Sequence, residues 1–435
     1  MAEADGSARS VPRETFWPAG PLWLLVAAAR PCCRGLTPQA RHPYGRPVLP
    51  SLDAALRTDL VSIEAQHRIR SCPAVAGVSR ANATVDDRPL LSFCSNDYLG
   101  LADHPALASA ATAAAARSGF GSGASRLVAG DLPEHRELET DLATFLGVEA
   151  VLLFPSGYQT NLGVLPAIAG PGDLILCDHS NHASIIDAAR LSRARVSFYR
   201  HLDVSSAERR LVRLAPAARR KLIVTESLFS MDGDIAPLAD LAALAKAQGA
   251  ALVVDEAHAL GALGPGGRGL CREAGVTPDI LIGTLGKAFG TAGGFAAGTR
   301  TLREYLVNRS RTFMYTTAPP PPIAAAALAA LNIAQGPEGD ARRLALASRV
   351  RQLRGLLSQV PAGSPGSPIF PILLGTDRAA LDVSRALRTR GFFVQAIRPP
   401  TVPDGSARLR ITLSANHRPG DVDSLAQAIG PLIPQ

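Results

Sequence analysis

The sequence predicts an α/β protein with a mostly parallel sheet covered by helices, followed by a smaller α+β unit. Three observations predict it. Between residues 150 and 298, short apolar runs alternate with segments of helical periodicity, the pattern of a parallel sheet buried on both faces. Polar and charged residues recur just after those runs, where ligands bind in such sheets. Beyond residue 368 the pattern shortens into three strand-like runs and two helical ones.

In chain order, residues 1–50 differ from the rest. Eight prolines punctuate them, and the apolar run Leu22–Ala29 is too short to span a bilayer. Acidic Glu3, Asp5 and Glu14 argue against a secretory signal there. We expect a disordered extension, or sequence upstream of a misplaced start. Residues 51–100 form an N-terminal segment. Leu52 to Ile69 has helical apolar spacing, and Leu90–Cys94 reads as a strand leading into Ser95-Asn-Asp-Tyr-Leu-Gly100. Residues 101–330 form the large domain and 331–435 the small one.

The large domain opens with an alanine-rich helix over 104–117. The loop Gly119-Phe-Gly-Ser-Gly-Ala-Ser-Arg126 follows. Its glycines let backbone approach a ligand, but no clear strand precedes them and the third is misplaced for a dinucleotide fingerprint. Strands are expected at Ala150–Phe154, Leu174–Cys177, Val196–Tyr199, Leu222–Thr225, Ala251–Val254 and Ile280–Thr284. Helices are expected over 158–169, 183–191 and 236–248. The run Thr316-Thr-Ala-Pro-Pro-Pro-Pro322 breaks the chain before a long helical segment reaching about Leu357. In the small domain, strands are expected near Ile369–Leu374, Phe392–Ile397 and Arg408–Leu413, with helices near 378–389 and 420–430.

Composition narrows the function. The 435 residues are 47% hydrophobic and 19% charged, enough for a large core. A formal charge of +8 could mark a nucleic-acid binder, but the arginines are scattered, with no basic run. The charge suits an anionic substrate instead. Six cysteines without metal-ligand spacing read as reduced thiols in the cytoplasm. Nothing suggests a metal site, and no run is long enough to cross a membrane.

Candidate chemistry lies at the strand ends. Gly157-Tyr158 opens a helix, and its free N–H groups suit a phosphate. Asp178-His-Ser-Asn-His182 follows the next strand. Ser230 lies in a turn after Leu222–Thr225. Asp255-Glu-Ala-His258 follows the very apolar Ala251–Val254, and Thr284 and Lys287 follow Ile280–Thr284. A carboxylate at the mouth of a central strand requires a cation or strong donors. Lys287 is one of only three lysines, with Lys221 and Lys246, among 42 arginines. Only lysine, not arginine, can lose its proton and become an amine nucleophile.

Each residue alone has an ordinary structural reading: a solvated lysine, a helix start, a core histidine. Together, an amine, a carboxylate, a phosphate-binding turn and histidines meet the needs of pyridoxal phosphate. Asp255-Glu-Ala-His258 also spells a helicase box. That chemistry needs GxxxxGK[ST]. Here Leu281 holds the first glycine's place and Ala288 follows the lysine, so the helicase reading is rejected.

From about Leu52 to Gly430 the chain resembles the α-oxoamine synthases, fold-type I pyridoxal-phosphate transferases. Phe93–Leu101, Gly119–Ser125, Phe229-Ser-Met-Asp-Gly-Asp234, Asp255–His258 and Thr284-Leu-Gly-Lys-Ala-Phe-Gly290 carry the resemblance, in order. Ala396-Ile-Arg-Pro-Pro-Thr-Val-Pro403 is most similar to the biotin-pathway branch. That branch condenses L-alanine with pimeloyl-CoA or a pimeloyl acyl carrier protein, giving 8-amino-7-oxononanoate, CO2 and the free carrier.

The resemblance implies roles. Lys287 holds the cofactor as a Schiff base and moves the α-proton. Asp255 faces the pyridine nitrogen, and His182 stacks on the ring. His258 and Ser230 lie near the ring hydroxyl. Gly157, Tyr158 and Thr284 surround the cofactor and its phosphate. Thr316 or Thr317 reaches a neighbouring subunit's phosphate, implying a homodimer with a shared site. Arg68, Asn96, His182, Arg398 and Thr401 contact substrate, with Arg398 as the carboxylate clamp. Three other readings stay open: a glycine- or serine-using member of the same family, a non-catalytic partner subunit and, more distantly, a nucleic-acid-binding protein.

Overall fold

The computed structural model describes residues 51–77, 81–358 and 363–433. The expected extension over 1–50 lies outside them. Backbone contacts divide the chain into Met1–Val61 and Ser62–Gln435. Of the first unit only 51–61 are described, within a helix, Leu52–Ala65, that has no buried residue. The second unit holds the sheets and every residue of the candidate site.

Seven strands build the main sheet: β1 (Ala150–Phe154), β2 (Leu174–Asp178), β3 (Arg195–Tyr199), β4 (Lys221–Glu226), β5 (Ala251–Asp255), β6 (Ile280–Thr284) and β7 (Gly294–Gly298). Their spatial order is β1-β7-β6-β5-β4-β2-β3. Strands β3, β2, β4, β5 and β6 pair in parallel, and β7 is antiparallel to both β6 and β1. All five residues of β1, of β2 and of β6 are buried, as expected of strands covered on both faces. The expected strands are all present. Strand β7 is an addition, because Gly-Phe-Ala-Ala-Gly has no β-branched residue to mark it. Helices Pro133–Leu146 and Val204–Leu214 are further additions.

The long segment after the proline run is two helices, Pro321–Gln335 and Pro337–Leu356. Gly336 ends the first and Pro337 fits the opening turn of the second. The smaller C-terminal unit has β8 (Ile369–Gly375), β9 (Gln395–Ile397) and β10 (Ala407–Thr412), in the order β8-β10-β9. Helices Asp377–Thr389 and Pro419–Ile429 accompany them. Phe392–Phe393 leaves this sheet and pairs in parallel with Leu91–Ser92, so the expected strand Phe392–Ile397 is split between two sheets.

Candidate active site

The carboxyl ends of β1, β2, β4, β5 and β6 open on the same side, because these strands run in one direction. Asp255 closes β5 and is buried. Its Oδ1 accepts from Ala257 N at 2.9 Å and its Oδ2 from Asn161 Nδ2 at 2.9 Å. Asn161 lies on the helix Gly157–Ile168 and also donates to Ser184 Oγ at 3.0 Å, while its own Oδ1 is buried without a partner. Among the described residues two neutral donors and no cation hydrogen-bond to Asp255, so a carboxylate there is ready for a cationic partner.

Lys287, half-buried, follows β6 by three residues. Burial lowers its ammonium to about 8, although Asp255 and Glu226 pull the other way. The desolvation cost exceeds the attraction of two carboxyls, which makes the neutral amine far more accessible near physiological pH than in an ordinary lysine.

Glu226 closes β4 and lies in register beside Asp255. Burial, with Asp255 adding to it, pushes this carboxyl up to about 8. Its Oε1 accepts from His182 N at 2.5 Å. The sequence reading did not single out Glu226. Its signal was position, since it ends the run Leu222–Thr225 as Asp255 ends Ala251–Val254.

His182 precedes the helix Ala183–Leu191, with Nδ1 3.2 Å from Ser184 N and 2.8 Å from Ser184 Oγ. Its ring stands edge-on to Tyr158, 6.4 Å between centroids. Loss of hydration, with Lys287 repelling a further positive charge, holds its imidazole below the ordinary range. The Tyr158 hydroxyl donates to Asp187.

His258 is buried, and its Nδ1 lies 2.7 Å from Tyr98 Oη. Burial first, then the charges of Lys287, Arg410 and His182, depress its pKa well below the usual value. His258 is therefore a neutral imidazole.

The start of the helix Gly157–Ile168 packs tightly against Gly294, where a side chain has no room. A Cβ on Gly294 would lie 2.6 Å from Gly157 N, and one on Gly157 would touch the Thr284 side chain at 3.4 Å. Thr284 Oγ1 donates to Gly293 O at 2.9 Å and accepts from Gly286 N. Ser156 caps the helix through Gln159 N at 3.2 Å, leaving the first-turn N–H groups beside Thr284 for an anion.

Ser230 and Asn96 are joined by an arginine that the sequence reading passed over. Arg410, on β10, donates from Nε to Ser230 O at 2.5 Å and from Nη1 to Asn96 Oδ1 at 3.0 Å. It is buried, and its Nη2 has no partner. Its positive charge opposes protonation of both Lys287 and His258, which places it at their side.

Arg398 also keeps a buried nitrogen, Nε, without a partner. It donates to His67 O and to Ile69 O at 3.2 Å, and its charged neighbours are Arg70, Asp377 and Arg385. With Arg70, Arg385, Arg388 and Thr401 it lines a groove of about 580 Å³. Arg68 is engaged by Asp377 at 2.8 Å and by Asp404. Thr316 is half-buried and Thr317 exposed, and among the described residues no hydrogen bond ties either side chain to the Lys287 cluster.

The donor set fits pyridoxal phosphate. A depressed amine, a buried carboxylate without a cation, a first-turn N–H cluster and an unpartnered guanidinium nitrogen are groups this cofactor and an amino acid can satisfy.

Comparison with known proteins agrees. The chain matches the aminotransferase class I and II family over residues 88–429. It is 48% identical over 379 residues to an 8-amino-7-oxononanoate synthase of Anaeromyxobacter dehalogenans, covering 86% of this chain and 94% of the relative. Among solved structures, serine palmitoyltransferase from S. paucimobilis with bound PLP superposes with a TM-score of 0.81 at 29% identity, covering 87% of this chain and 96% of that one. An 8-amino-7-oxononanoate synthase from Francisella tularensis gives 0.67 at 30% identity, covering 79% and 96%.

Proposed function

The chain belongs to the aminotransferase class I and II family and, within it, to the α-oxoamine synthases of the 8-amino-7-oxononanoate type, and from that premise we propose how its residues carry the reaction. It is a pyridoxal-phosphate-dependent acyltransferase of biotin biosynthesis. We take its substrates to be L-alanine and pimeloyl-CoA or a pimeloyl acyl carrier protein. Alanine's α-carbon gives up its proton and bonds to the acyl carbon as the carrier thiol leaves with a proton. It then loses its carboxylate as CO2 and regains a proton, so acyl replaces carboxyl overall.

When bound, pyridoxal phosphate supplies a carbonyl carbon for an amine and a ring that withdraws electrons from the amino acid's α-carbon. Lys287 would hold the cofactor, and its amine would take and return the proton at the amino acid's α-carbon. Asp255, steadied by Asn161 and Ala257, holds a positive charge at the ring nitrogen. His182 would cover the cofactor, with His258 and Ser230 beside it as hydrogen-bonding groups. The first-turn N–H groups at Gly157 and Tyr158, with Thr284, hold the phosphate. Arg410 takes the α-carboxylate on its free Nη2, next to Asn96. The arginine-rich groove around Arg398 and Thr401, with Arg68 nearby, suits the anionic acyl donor.

Exposed Phe120, Val128 and Tyr315, 80%, 80% and 69% accessible, fit a homodimer interface near Thr316 and Thr317. The reaction belongs in the cytoplasm. No described helix is long and apolar enough to cross a membrane, and the described cysteines are unpaired.

The observation that carries this reading is the meeting of Lys287, just past β6, with the buried carboxyls of Asp255 and Glu226 that close β5 and β4. The experiment is turnover by the full chain loaded with pyridoxal phosphate, with alanine, glycine or serine against pimeloyl-, acetyl- and long-chain acyl-CoA. Release of CO2 and free CoA is followed. Alanine with pimeloyl-CoA should turn over fastest. The higher TM-score of the serine palmitoyltransferase supports a second reading, use of serine, and faster turnover of serine or glycine would establish that branch instead. Lys287→Arg keeps the charge but not the nucleophile. It should lose on the order of 10³-fold or more in rate. Normal turnover by that variant would overturn the whole assignment.

A further inference from the structure

Tyr98 is fully buried in the segment Asn96-Asp-Tyr-Leu-Gly100, yet none of the roles above uses it. Its hydroxyl has two possible acceptors: His258 Nδ1 at 2.7 Å and Asn96 Oδ1 at 3.4 Å. The second already accepts from Arg410 Nη1 at 3.0 Å. Arg410 meets Tyr98 around this shared Asn96 Oδ1, its charge reaches the phenol, and its Nη2 completes no hydrogen bond.

These contacts set a direction. A neutral imidazole carries one N–H donor and one bare acceptor. A phenol can donate its single proton or turn its lone pairs outward. A guanidinium has donors only, so it faces the lone pairs of the phenol oxygen and turns the O–H away. The nearer acceptor on that side is His258 Nδ1. Burial keeps the Tyr98 proton in place and keeps His258 neutral, so the chain is not confused by a second charge state.

We propose that Tyr98 is a positioning residue that locks His258 in the Nε2–H tautomer, with Arg410 setting the polarity of the chain Arg410–Tyr98–His258. The site then presents a hydrogen-bond donor, not an acceptor, from Nε2, which has no protein partner among the described residues. Arg410 thereby has two duties. It holds an anion with one nitrogen and orders a tautomer with its field. A donor at Nε2 suits an oxygen anion on the ring of a bound aromatic aldehyde. The proposal rests on the reading of this site as a pyridoxal-phosphate site.

The test uses histidine-selective ¹⁵N labelling of the full chain, with NMR of the ring nitrogens in the loaded and cofactor-free protein. His258→Gln identifies the resonances. Wild type should show a protonated Nε2 and an unprotonated Nδ1 at His258, before and after cofactor removal. Tyr98→Phe should bring the Nδ1–H form to a comparable population. Arg410→Gln should do the same through the other link, which keeps the test alive if Tyr98→Phe does not fold. A wild-type Nδ1–H tautomer overturns the proposal, and so does an unchanged tautomer in a folded Tyr98→Phe. The two readings fail separately. An enzyme inactive on every amino acid but carrying the expected tautomer loses only its function assignment. Normal alanine turnover with the opposite tautomer defeats only the positioning role.

Discussion

At Lys287, a depressed ammonium has two measurable consequences. Cofactor-free protein should take up pyridoxal phosphate faster as pH rises through about 8, because only the neutral amine attacks a carbonyl. Stopped-flow absorbance near ~420 nm, a rough figure for a lysine Schiff-base chromophore, reads it directly. A rate independent of pH between 7 and 9 would contradict that environment. Arg410→Lys keeps the charge but loses the fork geometry. It should raise the KM for alanine about 10- to 100-fold, the value of one charge-assisted hydrogen bond. The acyl-donor KM should change little, and an equal effect on both would place the guanidinium elsewhere. Asp255, Lys287 and His258 were legible in the sequence because apolar runs point straight at them. Arg410 was not. It sits inside the buried strand Ala407–Thr412, where an alternating pattern marks it as one of two arginines, and only folding shows that Asn96 and Ser230 come to meet it. Arg398 was legible from its motif; two of its nitrogens donate to the carbonyls of His67 and Ile69, and its Nε is buried without a partner.

At the scale of elements, Glu256 explains why the acidic pair after β5 is not a helicase box. It is buried and accepts from Ser227 Oγ at 2.9 Å, Leu270 N at 3.0 Å and Cys271 N at 2.5 Å. It therefore ties the turn after β4 to the short helix Gly269–Glu273. Glu256→Ala should lower stability by about 2–5 kcal/mol, the cost of leaving several buried donors unpaired, seen as an earlier urea midpoint. A change under ~1 kcal/mol would show that the latch is dispensable. A second fastening is His201. It lies edge-on to Phe229, with Nδ1 2.9 Å from Asp178 and Nε2 3.4 Å from Asp234. Burial disfavours its charge, but the bonds to both carboxylates outweigh this and raise its pKa to about 9. A raised folded pKa means the stabilisation is complete below the unfolded value of about 6.5 and is lost as pH climbs through about 9. The melting temperature should fall between about pH 6.5 and 9, and His201→Gln should flatten that fall. The mostly parallel direction of the strands was readable from the alternation of strands and helices; their order was not. Strand β7 and the division of Phe392–Ile397 were not, because each depends on which neighbour offers free hydrogen bonds rather than on local composition.

For the whole molecule, the proposed homodimer makes the apolar surface at Phe120, Val128 and Tyr315 a requirement for activity rather than a liability. Val128→Glu should yield monomers in sedimentation and lose activity in parallel, with activity recovering at high protein concentration. A fully active monomer would remove the shared-site proposal. The scarcity of lysine has a practical outcome. Lys221 donates to Gln248 O at 2.5 Å, and Lys246 is exposed on the helix Leu238–Gln248. Borohydride reduction of the loaded enzyme should therefore attach the cofactor irreversibly at one address. Trypsin would then skip Lys287 and release the single peptide Glu273–Arg300, a mass tag by which the working enzyme can be counted in a mixture.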